Sequence, residues 1–337
     1  MQTGEAFTVD LRTALDSAAR YVVDMQTASG AWCDFHLGVG LSDAWTTAYI
    51  GTCLLEAERS IGGCERRYVR AALDRGAAFL QASQRRDGSW AYNGHVPPDC
   101  DSTSWATLFL AAMGSESHDD ASAALRSFAR GDGGFATYNC AASAVPGSTS
   151  AWTSSHPDVT PVALRALGEN HLGREATIDY ILTARDGDGL WNSYWYRTAL
   201  YSTLQNLIAL HAAGRPVQPP STAVVARAVT RDPFELALAI EIAVRFPAGA
   251  SASAFARESA AALLASQSRD GWWAADPLLR VTNETTERPW NVPGDTGGAL
   301  YRDDYFLFTT ATVTRALSYV LEARLAGKEA DVELLRV

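Results

Sequence analysis

Two aspartates before an apolar helix are the residues of this sequence best placed for acid chemistry. Asp99 and Asp101 lie in the segment DCDST, and the apolar run over 102–113 predicts a helix that starts beside them. One helix start needs one capping side chain, and Ser102 or Thr103 could supply that cap. A carboxyl group is therefore left over where a rigid helix meets a loop. Asp101 is predicted to be the working acid, with Asp99 beside it.

The helical face that carries Asp101 predicts the surroundings of this carboxyl group. Helical spacing puts Trp105 and Phe109 on the same face, so the acid would look over an apolar, aromatic cavity. Burial in such a cavity favours the protonated form of the acid. The donors Ser102 and His95, or a second carboxylate, would tune its pKa.

More aromatic side chains lie close to the starts of the other apolar helices. A single aromatic residue at such a position usually belongs to the core. Together, however, these residues could form a ring of π faces around a dry cavity, and such a ring would stabilise a hydrocarbon cation. Besides Trp105 and Phe109, the predicted cavity residues are Trp45, Tyr49, Trp195, Tyr196, Tyr201, Tyr305 and Phe306.

Six pairs of helices are predicted along the chain. Five of the pairs are joined through a glycine turn, such as RRDGSW at 85–90 or SRDGWW at 268–273. Units of this kind cannot bury their apolar faces alone, so they must stack on one another. The predicted pairs are 10–25 with 41–57, 67–84 with 102–113, 118–130 with 159–167, 174–184 with 197–213, 221–230 with 233–246, and 251–267 with 304–324.

The two helices of a pair differ in polarity, and this difference predicts the architecture. The first helix is amphipathic and the second is apolar nearly all round, as expected if the second helices form an inner barrel. The whole chain, 1–337, is therefore predicted to be one all-α domain, an (α/α)6 toroid of about twelve helices. The loops from first to second helices are long, above all 136–157 and 274–302. Their rim is predicted to be the mouth of the site.

Composition restricts the partners of the protein. The net charge is −10 and the basic residues are scattered, so no electrostatic footprint for nucleic acid is present. The five cysteines form no C-x-x-C pair, which favours reduced thiols in a cytoplasm over a disulfide frame or a zinc ribbon. No apolar stretch reaches the length of a membrane span. We predict a cytoplasmic protein with a hydrophobic small-molecule substrate and at most peripheral contact with a membrane.

The glycine turns resemble a known motif. The segment 75–90 is similar, position for position, to the QW motif of squalene-hopene cyclases, oxidosqualene cyclases and related class II terpene cyclases, and 21–32 and 264–273 look like further copies. The resemblance implies an (α/α)6 toroid, a fold shared with the β subunits of protein prenyltransferases. The matching residues of the first copy are Arg75, Gly76, Phe79, Leu80, Gln84, Gly88, Ser89 and Trp90.

The same resemblance implies roles for the two acids. Class II cyclases protonate an alkene or epoxide with an Asp-rich D-x-D-D segment, and Asp99-Cys100-Asp101-Ser102 is similar to it. Asp101 then stands in the position of the proton donor and Asp99 in that of the first Asp, while Ser102 replaces the family's final Asp or Cys. The family usually pairs this toroid with another helical domain. With one toroid only, either the rim loops or a partner, such as a partner helical domain or a second copy in a homodimer, would close the mouth, or the substrate is small.

The predicted function is a proton-initiated cyclase or isomerase of an isoprenoid or prenylated substrate. The protonation step requires no cofactor. If the substrate carries a diphosphate, Arg197, Arg288 or Arg302 could bind it, together with Mg²⁺. Asp303-Asp304 lacks the third acid of a D-D-x-x-D motif, so ionisation of a diphosphate is not predicted.

Two other classes of protein stay open at this point. An (α/α)6 glycoside hydrolase or lyase would pair Asp101 with Asp43, Asp158 or Asp304 across the ring. A non-catalytic or protein-prenyltransferase-like toroid would bind a hydrophobic ligand, although no inner helix start reproduces the Asp-x-Cys of a zinc site. Asp43, Asp158 and Asp232 are also predicted to be helix N-caps.

Overall fold

The helices dominate the fold and follow the predicted pairs. The computed structural model describes residues 4–115, 119–139, 150–229, 232–283, 285–292 and 297–334. In this part of the chain the helices are α1 (Gly4–Asp24), α2 (Ala44–Ala57), α3 (Gly63–Ser83), α4 (Cys100–Ala112), α5 (Asp119–Arg126), α6 (Ser150–Thr153), α7 (Thr160–Leu167), α8 (Arg174–Thr183), α9 (Leu200–Ala212), α10 (Thr222–Ala228), α11 (Pro233–Arg245), α12 (Ser251–Ser266) and α13 (Leu307–Leu334). All but the short α6 belong to the six pairs.

The inner helices form a closed ring, as predicted. They contact one another in the order α2, α4, α7, α9, α11 and α13, and α13 returns to contact α2. Outer helices pack on the inner helix of the preceding pair, for example α3 on α2, α12 on α11, and α1 on α13. The single-domain (α/α)6 toroid is therefore confirmed.

Burial distinguishes the two layers. Twelve of the fourteen residues of α2 are buried, whereas only six of the twenty-one residues of α3 are. A helix that is apolar on all sides gains most when it is surrounded by other helices, while an amphipathic helix needs cover on one face only. The difference in polarity thus assigns each helix to its layer.

The glycine turns attach the outer helices to the inner ring through repeated hydrogen bonds. In four of them a buried Trp donates its indole N–H to the carbonyl oxygen ten residues earlier, near the end of the outer helix. Its backbone N–H donates to a Thr hydroxyl of the following inner helix, as from Trp32 to Thr47 and from Trp273 to Thr310. The Nε1–O distances are 2.7 Å for Trp32 to Val22, 2.8 Å for Trp90 to Leu80, 2.7 Å for Trp191 to Ile181 and 2.7 Å for Trp273 to Leu263.

Two turn glycines are required by their contacts with the next outer helix. Gly133 has φ +89° and Gly271 has φ +98°. A Cβ atom would lie 2.3 Å from the Ala176 carbonyl oxygen at the first position and 2.4 Å from the Ser17 carbonyl oxygen at the second. The second contact joins the turn after α12 to α1, so it helps to close the outer layer.

The rim loops contain two antiparallel β-hairpins that the all-α prediction did not include. They are β1 (Asp34–Leu37) with β2 (Gly40–Ser42), and β3 (Leu279–Thr282) with β4 (Gly298–Tyr301). Residues 140–149, 284 and 293–296 of the predicted rim loops lie outside the described residues. Among the helices described, none is long and apolar enough to cross a membrane.

Candidate active site

A cavity of about 320 Å³ lies at the rim where the inner helices begin, as the loop lengths predicted. Its walls come from both hairpins, the first turns of α2 and α4, α6, and the loops before α4, α6 and α9. Two carboxylic acids, Asp99 and Asp101, face it. Its aromatic lining consists of Trp45, Tyr92, Tyr138, Trp152, Trp195, Tyr196 and Tyr301.

Asp99 is the N-cap of α4. Its Oδ1 accepts a hydrogen bond from the Ser102 backbone N–H at 2.7 Å, and its Oδ2 accepts one from the Ser102 hydroxyl at 2.6 Å. Burial raises the pKa of Asp99 to about 6, although these bonds oppose the increase. The structure therefore gives the capping role to Asp99 rather than to Ser102 or Thr103.

Asp101 is the second acid at this helix start, and it does not serve as the cap. It keeps some accessible surface because it faces the cavity, but its Oδ1 is buried and has no hydrogen-bond partner among the described residues. Burial, together with the nearby charges of Asp99 and Asp158, holds the pKa of Asp101 well above its usual range, against a smaller lowering by the Trp45 indole N–H. Burial at this position therefore favours the protonated form of the carboxyl group.

Asp158 lies behind the aromatic wall and does not cap α7, contrary to the prediction. Its Oδ2 accepts hydrogen bonds from the backbone N–H groups of Tyr194 and Trp195, each at 2.8 Å. The first residue before α7 is Val159, which has no side-chain capping bond. Burial raises the pKa of Asp158 to about 6. Asp43 and Asp232 do cap α2 and α11, as predicted.

A chain of polar contacts orients the aromatic wall. The Trp195 indole N–H donates to the Thr137 hydroxyl at 2.7 Å, and this hydroxyl lies 2.7 Å from His156 Nδ1. Burial lowers the pKa of His156 to about 4, so the ring is neutral and Nδ1 can accept from Thr137 while Nε2 donates to the Ala151 carbonyl. On the other side, the Trp152 indole donates to the Thr282 hydroxyl at 3.0 Å. The two rim loops are thus tied to each other.

The aromatic residues predicted to line the cavity fall into two groups, one in the cavity wall and one packed beneath it. Trp45, Trp195 and Tyr196 line the cavity. Four others, Tyr49 on α2, Trp105 and Phe109 on α4, and Tyr201 on α9, do not line it and pack in the centre of the ring beneath. There Tyr49 stacks on Phe308 with ring centroids 4.0 Å apart, and the Trp105 indole donates to the Tyr201 hydroxyl at 3.1 Å. This group forms the floor rather than the wall.

Tyr305 and Phe306 were predicted to line the cavity, but they lie away from it. Tyr305 is 42% exposed, and Phe306 stacks on Trp272 with centroids 4.4 Å apart. Both precede the first turn of α13, and the Asp34 carboxylate holds this segment by accepting hydrogen bonds from the N–H groups of Tyr305 and Leu307. That anchor turns the segment to the outside of the ring.

The two predicted tuning residues act on other groups. Ser102 lines the cavity, but its hydroxyl donates to Asp99. His95 is exposed, and its charge lowers the pKa of Asp43 rather than that of Asp101. Within the described residues, the neighbours that affect Asp101 are Asp99, Asp158 and Trp45.

The predicted anion-binding arginines do not reach the cavity. Arg197 pairs with Glu235 at 3.0 Å and with Asp276 at 3.7 Å. Arg288 and Arg302 are exposed. Among the described lining residues there is no Arg, Lys or His. The part of the chain that the structure describes also has no group of three or more His, Cys, Asp or Glu that could hold a metal ion.

Several cavity residues were not singled out from the sequence. Tyr92, Tyr138 and Trp152 lie in rim loops, and Leu279 and Val281 lie on β3, so none stands at the start of an inner helix. The alternation of Leu279 and Val281 is the period-2 signal of a strand with one face on a cavity. That signal was available within the long loop 274–302.

The toroid is the fold of known type II terpene cyclases. The structure of type II terpene cyclase MstE from Scytonema matches with a TM-score of 0.81 at 24% identity, covering 92% of this chain and 98% of that chain. An MstE variant has also been solved with its substrate, geranylgeranyl dihydroxybenzoate. ent-Copalyl diphosphate synthase from Streptomyces platensis matches with a TM-score of 0.57 at 20% identity, over 82% of this chain and 50% of that chain.

The same fold also carries other chemistry. An unsaturated glucuronyl hydrolase specific for heparin matches with a TM-score of 0.53 at 11% identity, covering 94% of this chain and 97% of that chain. No protein-family model and no curated protein matches the sequence. These likenesses establish the fold, and function has to be argued from the site itself.

Proposed function

We propose that the protein is a proton-initiated cyclase of a prenylated substrate, with Asp101 as the general acid. The observation that carries this proposal is a carboxyl group that lines an apolar cavity walled by aromatic rings and whose buried Oδ1 has no partner among the described residues. Burial there raises the pKa of Asp101 and so favours the form that can donate a proton. Its resemblance in sequence to the acid segment of class II cyclases, and the fold shared with MstE, support the same reaction.

The first step transfers the Asp101 proton to a carbon of a substrate double bond. The π electrons form the new C–H bond, the Asp101 carboxylate takes the negative charge, and a tertiary carbocation forms on the chain. A second double bond then attacks that cation, which closes a ring, and loss of a proton or addition of water ends the sequence. The faces of Trp45, Trp195 and Tyr196 stabilise the positive charge on the way. This step uses no cofactor.

The cavity favours a substrate without a diphosphate. A bound diphosphate needs Arg, Lys or metal ions around its oxygens, and the described lining offers carboxyl groups and aromatic rings instead. A prenyl chain on a neutral or aromatic head group fits this lining better. MstE binds geranylgeranyl dihydroxybenzoate, and compounds of that type are the first substrates to test. Mouth closure by the rim loops, peripheral membrane contact, a cytoplasmic location and a homodimer stay predictions.

The glycoside hydrolase alternative is weaker because its carboxylates are engaged elsewhere. A pair of acids should face each other across the substrate. Asp99 and Asp101 instead belong to one helix start, Asp43 caps α2, and Asp158 binds backbone N–H groups. Asp304 accepts a hydrogen bond from the His36 backbone on the outside of the rim.

The test is turnover of prenyl-substituted phenols and dihydroxybenzoates by wild type and by Asp101→Asn. The amide keeps the shape of the side chain but has no acidic proton, so we expect cyclisation to fall by about 10³-fold or more. Asp304→Asn is the matched control, a rim acid outside the cavity, and should keep wild-type activity. Equal activity of Asp101→Asn and wild type would remove the acid role. Turnover of heparin-type sugars but not of prenyl compounds would favour the hydrolase.

A further inference from the structure

Two residues that line the cavity carry buried polar atoms without a hydrogen-bond partner among the described residues, and these atoms are chemically complementary. Oδ1 of Asp101 and Nε1 of Trp45 each lack a hydrogen-bond partner among the described residues. A buried donor without a partner has lost its bonds to water without replacement, so such atoms are rare and often mark a functional site. Here Trp45 supplies an N–H donor, and Asp101 supplies a carboxyl oxygen that could accept it.

The Trp45 indole is held in one orientation. Its ring packs against Phe308 with centroids 5.0 Å apart, against Phe35 at 5.5 Å, and against Tyr92 at 6.2 Å. These three contacts come from α13, β1 and the loop before α4, so neighbours from three separate elements fix the ring. A donor fixed in this way costs little reorganisation when charge appears beside it.

We propose that Trp45 is a positioning residue whose indole N–H stabilises the Asp101 carboxylate that forms when the substrate is protonated. The proposal rests on the proposed function and assigns Trp45 a second role besides lining the cavity. Burial favours the protonated form of Asp101 in the resting state, and this neutral form gains little from the donor. In the transition state negative charge develops on Asp101, and the N–H dipole of Trp45 then interacts with it most strongly.

The other titratable groups around Asp101 are two acids and two tyrosines, and they differ in what they can do for the carboxylate. Asp99 and Asp158 carry negative charge, so they destabilise the Asp101 carboxylate. Tyr201 accepts a hydrogen bond from Trp105 in the floor and is not among the residues that line the cavity. The Tyr196 hydroxyl is also buried without a partner among the described residues, and it stands as the competing donor. Trp45 is the neighbour whose interaction lowers the pKa of Asp101.

The decisive variant is Trp45→Phe, which keeps an aromatic face and removes the N–H. We expect kcat for prenylated dihydroxybenzoate to fall about 10- to 100-fold with KM changed less than about 3-fold. The alkaline limb of the kcat profile should move to higher pH, because the Asp101 carboxylate has lost a donor that lowers its pKa. A merely structural defect would lower activity without moving that limb upward. In the Asp101→Asn background, Trp45→Phe should have no further effect.

Two matched controls separate the roles in the same cavity. Trp152→Phe makes the same indole-to-phenyl change where the N–H faces Thr282, and it should leave the alkaline limb in place. Tyr196→Phe removes the competing donor and should also leave it in place. A limb that moves with Tyr196→Phe and not with Trp45→Phe would overturn the proposal.

One measurement needs no substrate and therefore separates this proposal from the proposed function. The infrared C=O band of protonated Asp101, assigned by its loss in Asp101→Asn, reports the pKa of the group directly. A higher pKa in Trp45→Phe supports the donor role even if no prenyl compound is turned over. An unchanged pKa contradicts it, even if wild type proves to be an active cyclase.

Discussion

Asp99 and Asp101 lie two residues apart at the start of α4, yet only Asp99 is bound by the helix. Both oxygens of Asp99 accept hydrogen bonds from Ser102, whereas Oδ1 of Asp101 is buried without a partner among the described residues. The cap points Asp99 back at the backbone, and this leaves Asp101 to face the cavity. The two acids should therefore respond differently to substitution.

Asp99→Asn should preserve the fold and shift the pH dependence of activity. Asn is as good an N-cap as Asp, so the free energy of unfolding should change by less than about 1 kcal/mol. The charge of Asp99 raises the pKa of Asp101, and its removal should lower that pKa and move the alkaline limb of the kcat profile to lower pH. The pH–rate profile with prenylated dihydroxybenzoate measures this. Loss of activity as complete as in Asp101→Asn would mean that Asp99 is itself the acid.

Asp158→Asn should change how stability depends on pH. The pKa of Asp158 is about 6 in the folded protein, against about 4 in an unfolded chain, so the folded state binds this proton more tightly. Its contribution to stability is full below pH ~4 and is lost as the pH rises to about 6, a change of about 3 kcal/mol. Denaturant unfolding of wild type and variant at several pH values gives the difference. A difference independent of pH would contradict the assigned burial.

Gly133→Ala should destabilise the ring far more than Gly131→Ala in the same turn. Gly133 has φ +89° and its added Cβ would lie 2.3 Å from the Ala176 carbonyl oxygen, whereas a Cβ at Gly131 meets nothing within 4 Å. Backbone strain and the clash with α8 together should cost about 2–4 kcal/mol at Gly133. Thermal and denaturant unfolding compare the two variants. Equal stability of both would show that α8 does not press on the turn.

Arg197→Gln should affect stability rather than substrate binding. Arg197 pairs with Glu235, which is buried, so its loss leaves a carboxylate without this partner and should cost about 2 kcal/mol of unfolding free energy. The cavity lining does not include Arg197, so KM should change less than about 2-fold. Arg302→Gln, at an exposed position, is the control and should change neither quantity by much. A large increase in KM would restore Arg197 as an anion site.

Local patterns in the sequence were sufficient to predict the layered ring, the six helix pairs and the side of the ring that holds the site. They succeed because the formation of a helix or a tight turn depends mainly on residues that are close in sequence, and apolar periodicity and turn glycines record those local preferences. The same holds for the surplus carboxyl group, since a helix start can bind only one cap. The acid role of Asp101 itself stays a prediction.

Only the tertiary structure determined how deep in the ring each aromatic side chain lies. Trp45 and Tyr49 share a helical face, but four residues correspond to about 6 Å along the axis. That distance separates the cavity wall from the packed floor, where Tyr49 meets Phe308 of another helix. Helical spacing predicts the direction in which a side chain points. It does not predict the depth at which side chains from the other helices fill the centre of the ring and end the cavity.

Partners far away in sequence were also beyond local patterns. Asp158 was predicted to cap a helix, but it accepts hydrogen bonds from the backbone of Tyr194 and Trp195. Arg197 was predicted to bind an anion, but it forms an ion pair with Glu235. Each of these contacts forms only when the ring closes and brings separate pairs together. The sequence therefore determined which groups are available for chemistry, and closure of the ring determined which of them the cavity can use.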